Sequence, residues 1–215
     1  MERKLIVAAV ALATLGCAGA SKLDLSHVGQ RAAWQHPDEV VRALGVKAGD
    51  HVVDLGAGNG YFLPYLAEAV GSTGRVYAVD VDANVILELT RTVDDEGLEN
   101  VEIVLGDYHD PRLPDHSIDL ILLVNSYHHI EHRPSYFEQL QVDLEPAGRV
   151  AVIDPDDELD GMMGLFLPEG HTSSRRAIRD EMMAVGYSHV ASFDFLPVQV
   201  FEVFTPVALT ALPRR

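Results

Sequence analysis

The chain has 215 residues, enough for one domain with a sizeable core, and 47% of them are hydrophobic, which excludes wholesale disorder. Asp and Glu outnumber Lys and Arg by 33 to 16, giving a formal charge of −17. That surplus argues against a nucleic-acid partner, which needs a basic surface, and against electrostatic docking on anionic lipid.

Residues 1–20 read as a targeting leader. A short basic start, Met1 to Lys4, precedes eleven residues from Leu5 to Leu15 that are apolar apart from Thr14. Such a run suits a signal-peptide core and is too short to span a bilayer as a helix. Its end, Thr14-Leu-Gly-Cys17, is similar to a lipoprotein cleavage site, with a lipid on the cysteine. A cut after Ala18-Gly-Ala20 by the general signal peptidase is the alternative. Either route predicts an exported protein, periplasmic or tied to the membrane only through Cys17; an unused leader leaves it cytoplasmic. Cys17 is the only cysteine, so no thiol–disulfide chemistry is expected in the folded domain.

Residues 21–50 form a second region. Ser21 to Trp34 is a polar, weakly patterned arm, and His36 to Leu44 predicts a short helix with Pro and acids in its first turn and Gly45 as its stop. Trp34 and Gln35 are candidates for closing over a ligand, with core packing the alternative for Trp34.

The domain proper spans 51–207. Apolar runs at 51–55, 75–79, 101–105, 118–124 and 149–153 predict parallel strands buried on both faces. Helices are expected at 61–70, 83–97 and 133–144, the second capped by Asp82, and a later one runs from a cap at Thr172 or Ser173 to Val185. Residues 189–195 and 199–205 predict an antiparallel hairpin pair. The acidic loop from Asp154 to Glu158 and the stretch to Gly170 predict a mobile lip near the site. Alternating strands and helices imply a Rossmann-like, doubly wound α/β sheet, mostly parallel, with an antiparallel C-terminal hairpin and a ligand beyond the strand ends.

The first strand closes on Asp54 and passes into Gly56-Ala57-Gly58-Asn59-Gly60. A dinucleotide fingerprint would place its third glycine at position 61, which is tyrosine. The D-x-G-x-G-x-G pattern resembles motif I of the class I S-adenosylmethionine methyltransferases, of the type 11/25-like kind. The second strand closes on Asp80, a residue type that NAD-binding folds also use on a ribose. Leu144-Glu-Pro-Ala-Gly148 is similar to the family's L-x-P-G-G turn, with Ala147 in place of the first glycine. The resemblance covers roughly residues 30 to 205.

The resemblance implies S-adenosyl-L-methionine as cofactor. It assigns Asp54, Gly56, Ala57, Gly58 and Gly60 to the motif I loop, and Asp80 with the adjoining Val81 to the ribose. Asp107 and Tyr108 fall to the adenine, and Asn125 to the methionine moiety. It also implies methyl transfer to an acceptor, most simply a small molecule. His128 and His129, just past the fourth strand, are the candidate general bases, since imidazole titrates near neutrality. Tyr127 either faces the substrate or supports the loop.

A metal site is the weaker reading of the same histidines. His128 and His132 are spaced to share a helix face, but the H-E-x-x-H pattern is absent, and no metal is expected. Two rival functions stand beside methyl transfer: a non-catalytic SAM-binding module at the cell envelope, and an aminopropyl transferase, whose acidic polyamine motif is not recognisable.

Overall fold

The computed structural model describes residues 31–157 and 172–207, so the leader, most of the arm and most of the expected lip lie outside the described residues. The elements follow in chain order. They are α1 (Pro37–Leu44), β1 (His51–Leu55), α2 (Leu63–Val70), β2 (Arg75–Asp80), α3 (Ala83–Glu96), β3 (Val101–Leu105), β4 (Ile118–Val124), α4 (Arg133–Asp143), β5 (Leu144–Pro155), α5 (Arg175–Ala184), β6 (Tyr187–Ser192) and β7 (Gln199–Pro206). They build one seven-stranded sheet in the order β3-β2-β1-β4-β5-β7-β6. β7 runs antiparallel to β5 and β6, and the other pairings are parallel.

Each face of the sheet carries its own core. Val52, Ala78, Leu120, Leu122 and Ile153 pack with α1, α2 and Leu89 of α3 on one side. Val53, Val79, Ile121, Leu123 and Val152 pack with α4 and α5 on the other. Each enclosed Val or Leu contributes about 1.5–3 kcal/mol relative to exposure, so the central strands are the rigid frame that aims their tips.

Several expectations shift. β3 is not buried on both faces: as the sheet edge it is half-buried, and Leu105 is exposed. β5 extends back to Leu144, past a register shift opposite β4, where Gly148 lies so close to the Ile118 carbonyl that a Cβ would meet it at 2.7 Å. α2 begins at Leu63 with Pro64 in its first turn, because Gly60 still belongs to the turn with a φ of 78°. α5 is capped by Ser174, whose hydroxyl accepts from the Ala177 amide, while Ser173 is committed elsewhere. β6 starts at Tyr187 and ends at Ser192.

The arm is not unstructured at its end. Residues 31–35 are helical, and His36 breaks them from α1 with a left-handed φ of 44°. The following Pro37 accounts for the break, since it disfavours the helical region for the residue before it.

Candidate functional site

The parallel strands β1 to β5 all end at one edge of the sheet, so Asp54, Asp80, Asp107, Asn125 and Asp154 arrive there together. The glycine loop after β1 is tied down by two amides, Gly56 N and Ala57 N, which donate to Val79 O at 2.8 and 3.0 Å. Its three glycines, all at positive φ, serve different ends. A Cβ on Gly56 would strike Ser126 at 2.6 Å, and one on Gly60 would press on Leu63 and Leu89 at 3.0 and 3.1 Å. At Gly58 the nearest atom to such a Cβ is 4.0 Å away. Gly56 and Gly60 are therefore explained by packing; Gly58, at φ 55°, turns its backbone toward open space.

Asp80 faces that loop. Its Oδ2 accepts from Gly58 N and its Oδ1 from Asp82 N, both at 3.1 Å. Two backbone donors fix the carboxylate plane and leave further lone pairs on both oxygens. Asp82 also caps α3 through the Asn84 amide at 2.8 Å, as its position predicts. Val81 is exposed beside it.

Asp54 is almost wholly enclosed at the base of the site. Burial pushes its carboxyl up to about 7, against the charge of Arg31, with Asp80 adding to the rise. A carboxyl that holds its proton to about pH 7 when folded, but ionises near its ordinary 3.8 when unfolded, costs stability as pH rises through that window. Asp143, raised to about 7 by burial and by Asp110 and Asp115, acts in the same direction. Asp54→Asn is therefore expected to flatten, not abolish, the decline of Tm from about pH 4 to about pH 7. Parallel melts of both proteins check this; identical slopes would remove the carboxyl from the explanation.

At the tip of β3, Asp107 Oδ1 accepts from His109 N at 3.2 Å, and Arg112 Nη2 stands 3.8 Å from Oδ2. Tyr108 beside it is 64% exposed. Both sit over the β2–β3 junction, where Gly106 N donates to Asp80 O at 2.9 Å.

Beyond β4 the structure separates the histidine pair. His128 Nδ1 lies 3.0 and 3.1 Å from the two oxygens of Asp154, which is fully buried. Ser173 Oγ donates to the same carboxylate at 2.6 Å. His129 is exposed and packs on the His128 ring with centroids 4.0 Å apart. Asp154 is thus a β5 residue inside the protein and no part of a loop. His132 takes a left-handed φ at the start of α4, while His128 lies in a short 3-10 turn, so the two share no helix face. Among the described residues no group of three or more His, Cys, Asp or Glu is placed to hold a metal.

Tyr127 supports the loop. It is buried, and its hydroxyl donates to Glu181 Oε2 at 2.6 Å. Arg133 grips both oxygens of Glu181 at 2.6 and 3.2 Å. Burial works to raise the Glu181 carboxyl, but hydrogen bonds from Arg133 and Tyr127 outweigh it and hold it below its usual value. The histidine turn is thereby fastened to α5.

Sequence reasoning missed Asp154 and Ser173 as partners of the histidine. It also missed Arg31, whose guanidinium lies 4.0 Å over the Tyr61 ring and 3.5 Å from Asn59 Oδ1. A lone Arg in a polar arm carries no signal that it will fold back on a loop almost thirty residues away.

The site suits a nucleoside carrying a cationic centre. A backbone turn with open space above Gly58 admits a ligand closely, Asp80 offers paired acceptors to a diol, and the carboxylates of Asp80 and Asp107 at this edge of the sheet favour positive charge. Comparison with known proteins agrees. A family model described as a methyltransferase domain matches residues 46–185. A SAM-dependent methyltransferase structure from Aquifex aeolicus is 26% identical, covers 85% of this chain and 99% of its own, and superposes with a TM-score of 0.73. The ubiquinone/menaquinone biosynthesis C-methyltransferase UbiE of Pseudoalteromonas translucida is 26% identical over 63% of this chain and 55% of its own. Aklanonic acid methyltransferase DauC, from a Streptomyces species, is 30% identical over 50% of this chain and 49% of its own. The chain thus spans about half the length of these curated relatives. With the glycine loop, the Asp80 tip and the sheet order all in agreement, the chain belongs to the methyltransferase domain family.

Proposed function

We infer that the protein transfers a methyl group from S-adenosyl-L-methionine to a small-molecule acceptor. The observation that carries the reading is Gly58 facing open space while its amide holds the Asp80 carboxylate at 3.1 Å. The cofactor supplies a methyl group already activated on a sulfonium. The chain's own residues hold it, align the acceptor and exclude water.

In this reading the loop after β1 takes the backbone approach, Asp80 takes the ribose hydroxyls, and Asp107 and Tyr108 border the base. Asp154 fixes the His128 tautomer with its proton on Nδ1, so Nε2 is the nitrogen that accepts a proton from an acceptor nucleophile. An imidazole oriented by a buried carboxylate is equipment that a pure binding module does not need. UbiE and aklanonic acid methyltransferase are named for small-molecule chemistry, which supports an acceptor of that kind.

The test is direct. The protein should bind S-adenosylhomocysteine in a calorimetric titration, and should form it from S-adenosylmethionine only when a suitable amine, phenol, thiol or carbon acid is present. Absence of binding overturns the reading; binding without turnover over a broad acceptor panel favours the non-catalytic module.

A further inference from the structure

A chain of polar side chains runs through the interior at the ligand-bearing edge of the sheet. Arg31 Nε donates to Gln35 Oε1 at 2.5 Å, Gln35 Nε2 to Gln199 Oε1 at 3.3 Å, and Gln199 Nε2 to Asn125 Oδ1 at 2.7 Å. Gln35 is 0% and Gln199 4% exposed. The link between them joins residues 164 positions apart.

A side-chain amide keeps its shape when turned end for end, so its partners decide which end donates. A guanidinium can only donate. Gln35 must therefore show Arg31 its oxygen and Gln199 its NH2. Gln199 must in turn show Gln35 its oxygen and Asn125 its NH2. Asn125, last in line, must turn its oxygen inward, which leaves Nδ2 on the opposite limb as a donor of fixed polarity. Among the described residues that NH2 has no acceptor.

Asn125 stands at the tip of β4 with a left-handed φ of 56°, its amide pinned to Ile153 O at 2.8 Å. The next residue, Ser126, lies under Gly56 and donates to Leu55 O at 2.8 Å. Asn125 thus stands one residue from the side chain that packs under the glycine loop, at the ligand-bearing edge of the sheet. We propose that the Arg31-anchored amide chain makes Asn125 Nδ2 a dedicated donor to the carboxylate at the amino-acid end of the cofactor. Gln35 and Gln199 are its positioning residues. Polarity carries the choice: an N–H donor can serve the carboxylate of an amino-acid group and cannot serve its ammonium.

The proposal rests on the cofactor reading above, and its test separates the two. Gln35→Glu keeps the shape and pairs its new charge with Arg31, but both its oxygens only accept. Gln199 must then turn, Asn125 must turn after it, and an oxygen replaces the NH2 at the ligand. Gln35→Leu breaks the chain without imposing a polarity. Calorimetry uses S-adenosylhomocysteine and 5′-methylthioadenosine, which lacks the amino-acid end.

Gln35→Glu should lose roughly tenfold or more in affinity for S-adenosylhomocysteine and keep its affinity for methylthioadenosine, with Gln35→Leu losing less. Asn125→Asp, which places an acceptor oxygen there directly, should reproduce the Gln35→Glu pattern. Equal losses for both ligands, no loss, or a larger loss in Gln35→Leu than in Gln35→Glu overturns the proposal. A wild-type protein that binds neither ligand overturns the cofactor reading instead.

Discussion

His128→Ala should cut turnover by about 10²–10⁴-fold, the range for a positioned general base, while leaving affinity for S-adenosylhomocysteine nearly unchanged. The ring is held by a fully buried carboxylate at 3.0 Å, and the turn carrying it is fastened to α5 through Tyr127 and Glu181. Asp154→Asn should fall in the same direction. An amide can donate to Nδ1 and so stabilise the tautomer with its proton on Nε2, which cannot act as a base. His129→Ala, which removes an exposed ring packed on that of His128, should cost far less. The measurement pairs ligand affinity with turnover for each variant on one acceptor. Full turnover in His128→Ala would leave positioning alone to carry the reaction.

Asp80→Ala should weaken both S-adenosylmethionine and S-adenosylhomocysteine by about 1.5–3 kcal/mol, the scale of hydrogen bonds to a charged group. Asp80→Asn keeps one acceptor oxygen and should lie between. The loss has two parts: the diol loses its acceptors, and Gly58 N loses the carboxylate that holds the loop tip at 3.1 Å. Gly58→Val should be worse, since a β-branched residue is an outlier at φ 55° and its side chain would fill the ligand's space. Calorimetric titration decides, and an unchanged affinity in Asp80→Ala would sink the ribose assignment.

The frame of the fold was legible because parallel strands covered on both faces must be apolar throughout. Val52-Val53 and Leu120 to Val124 therefore announce themselves, and a backbone at positive φ demands the glycines between them. Local signals of this kind also found Asp80 and the Asp82 cap. The exposed edge of β3 was not legible, since Val101 to Leu105 looks the same whether or not a neighbour covers it. Nor was the cap of α5: Thr172, Ser173 and Ser174 are adjacent hydroxyls of similar capping strength, and only the buried Asp154 decides that Ser173 is taken. The amide chain from Arg31 to Asn125 was beyond reach for a related reason. Its members have ordinary polar side chains, and their meaning comes from contacts between distant parts of the chain.

The order of the last two strands has a consequence for how the molecule assembles. β6 is synthesised before β7, yet β7 occupies the place between β5 and β6 and, among the described residues, is the only strand to which β6 bonds. As the chain emerges, β6 has no edge to join until β7 follows it. The two must then pair and enter as a unit, or β7 must dock on β5 first and offer its other side. Because β7 is reversed, the end that reaches the ligand-bearing edge is its first residue, Gln199, which follows β1 to β6 in the chain. The polar wiring behind Asn125 is therefore closed only after β1 to β6 have been made.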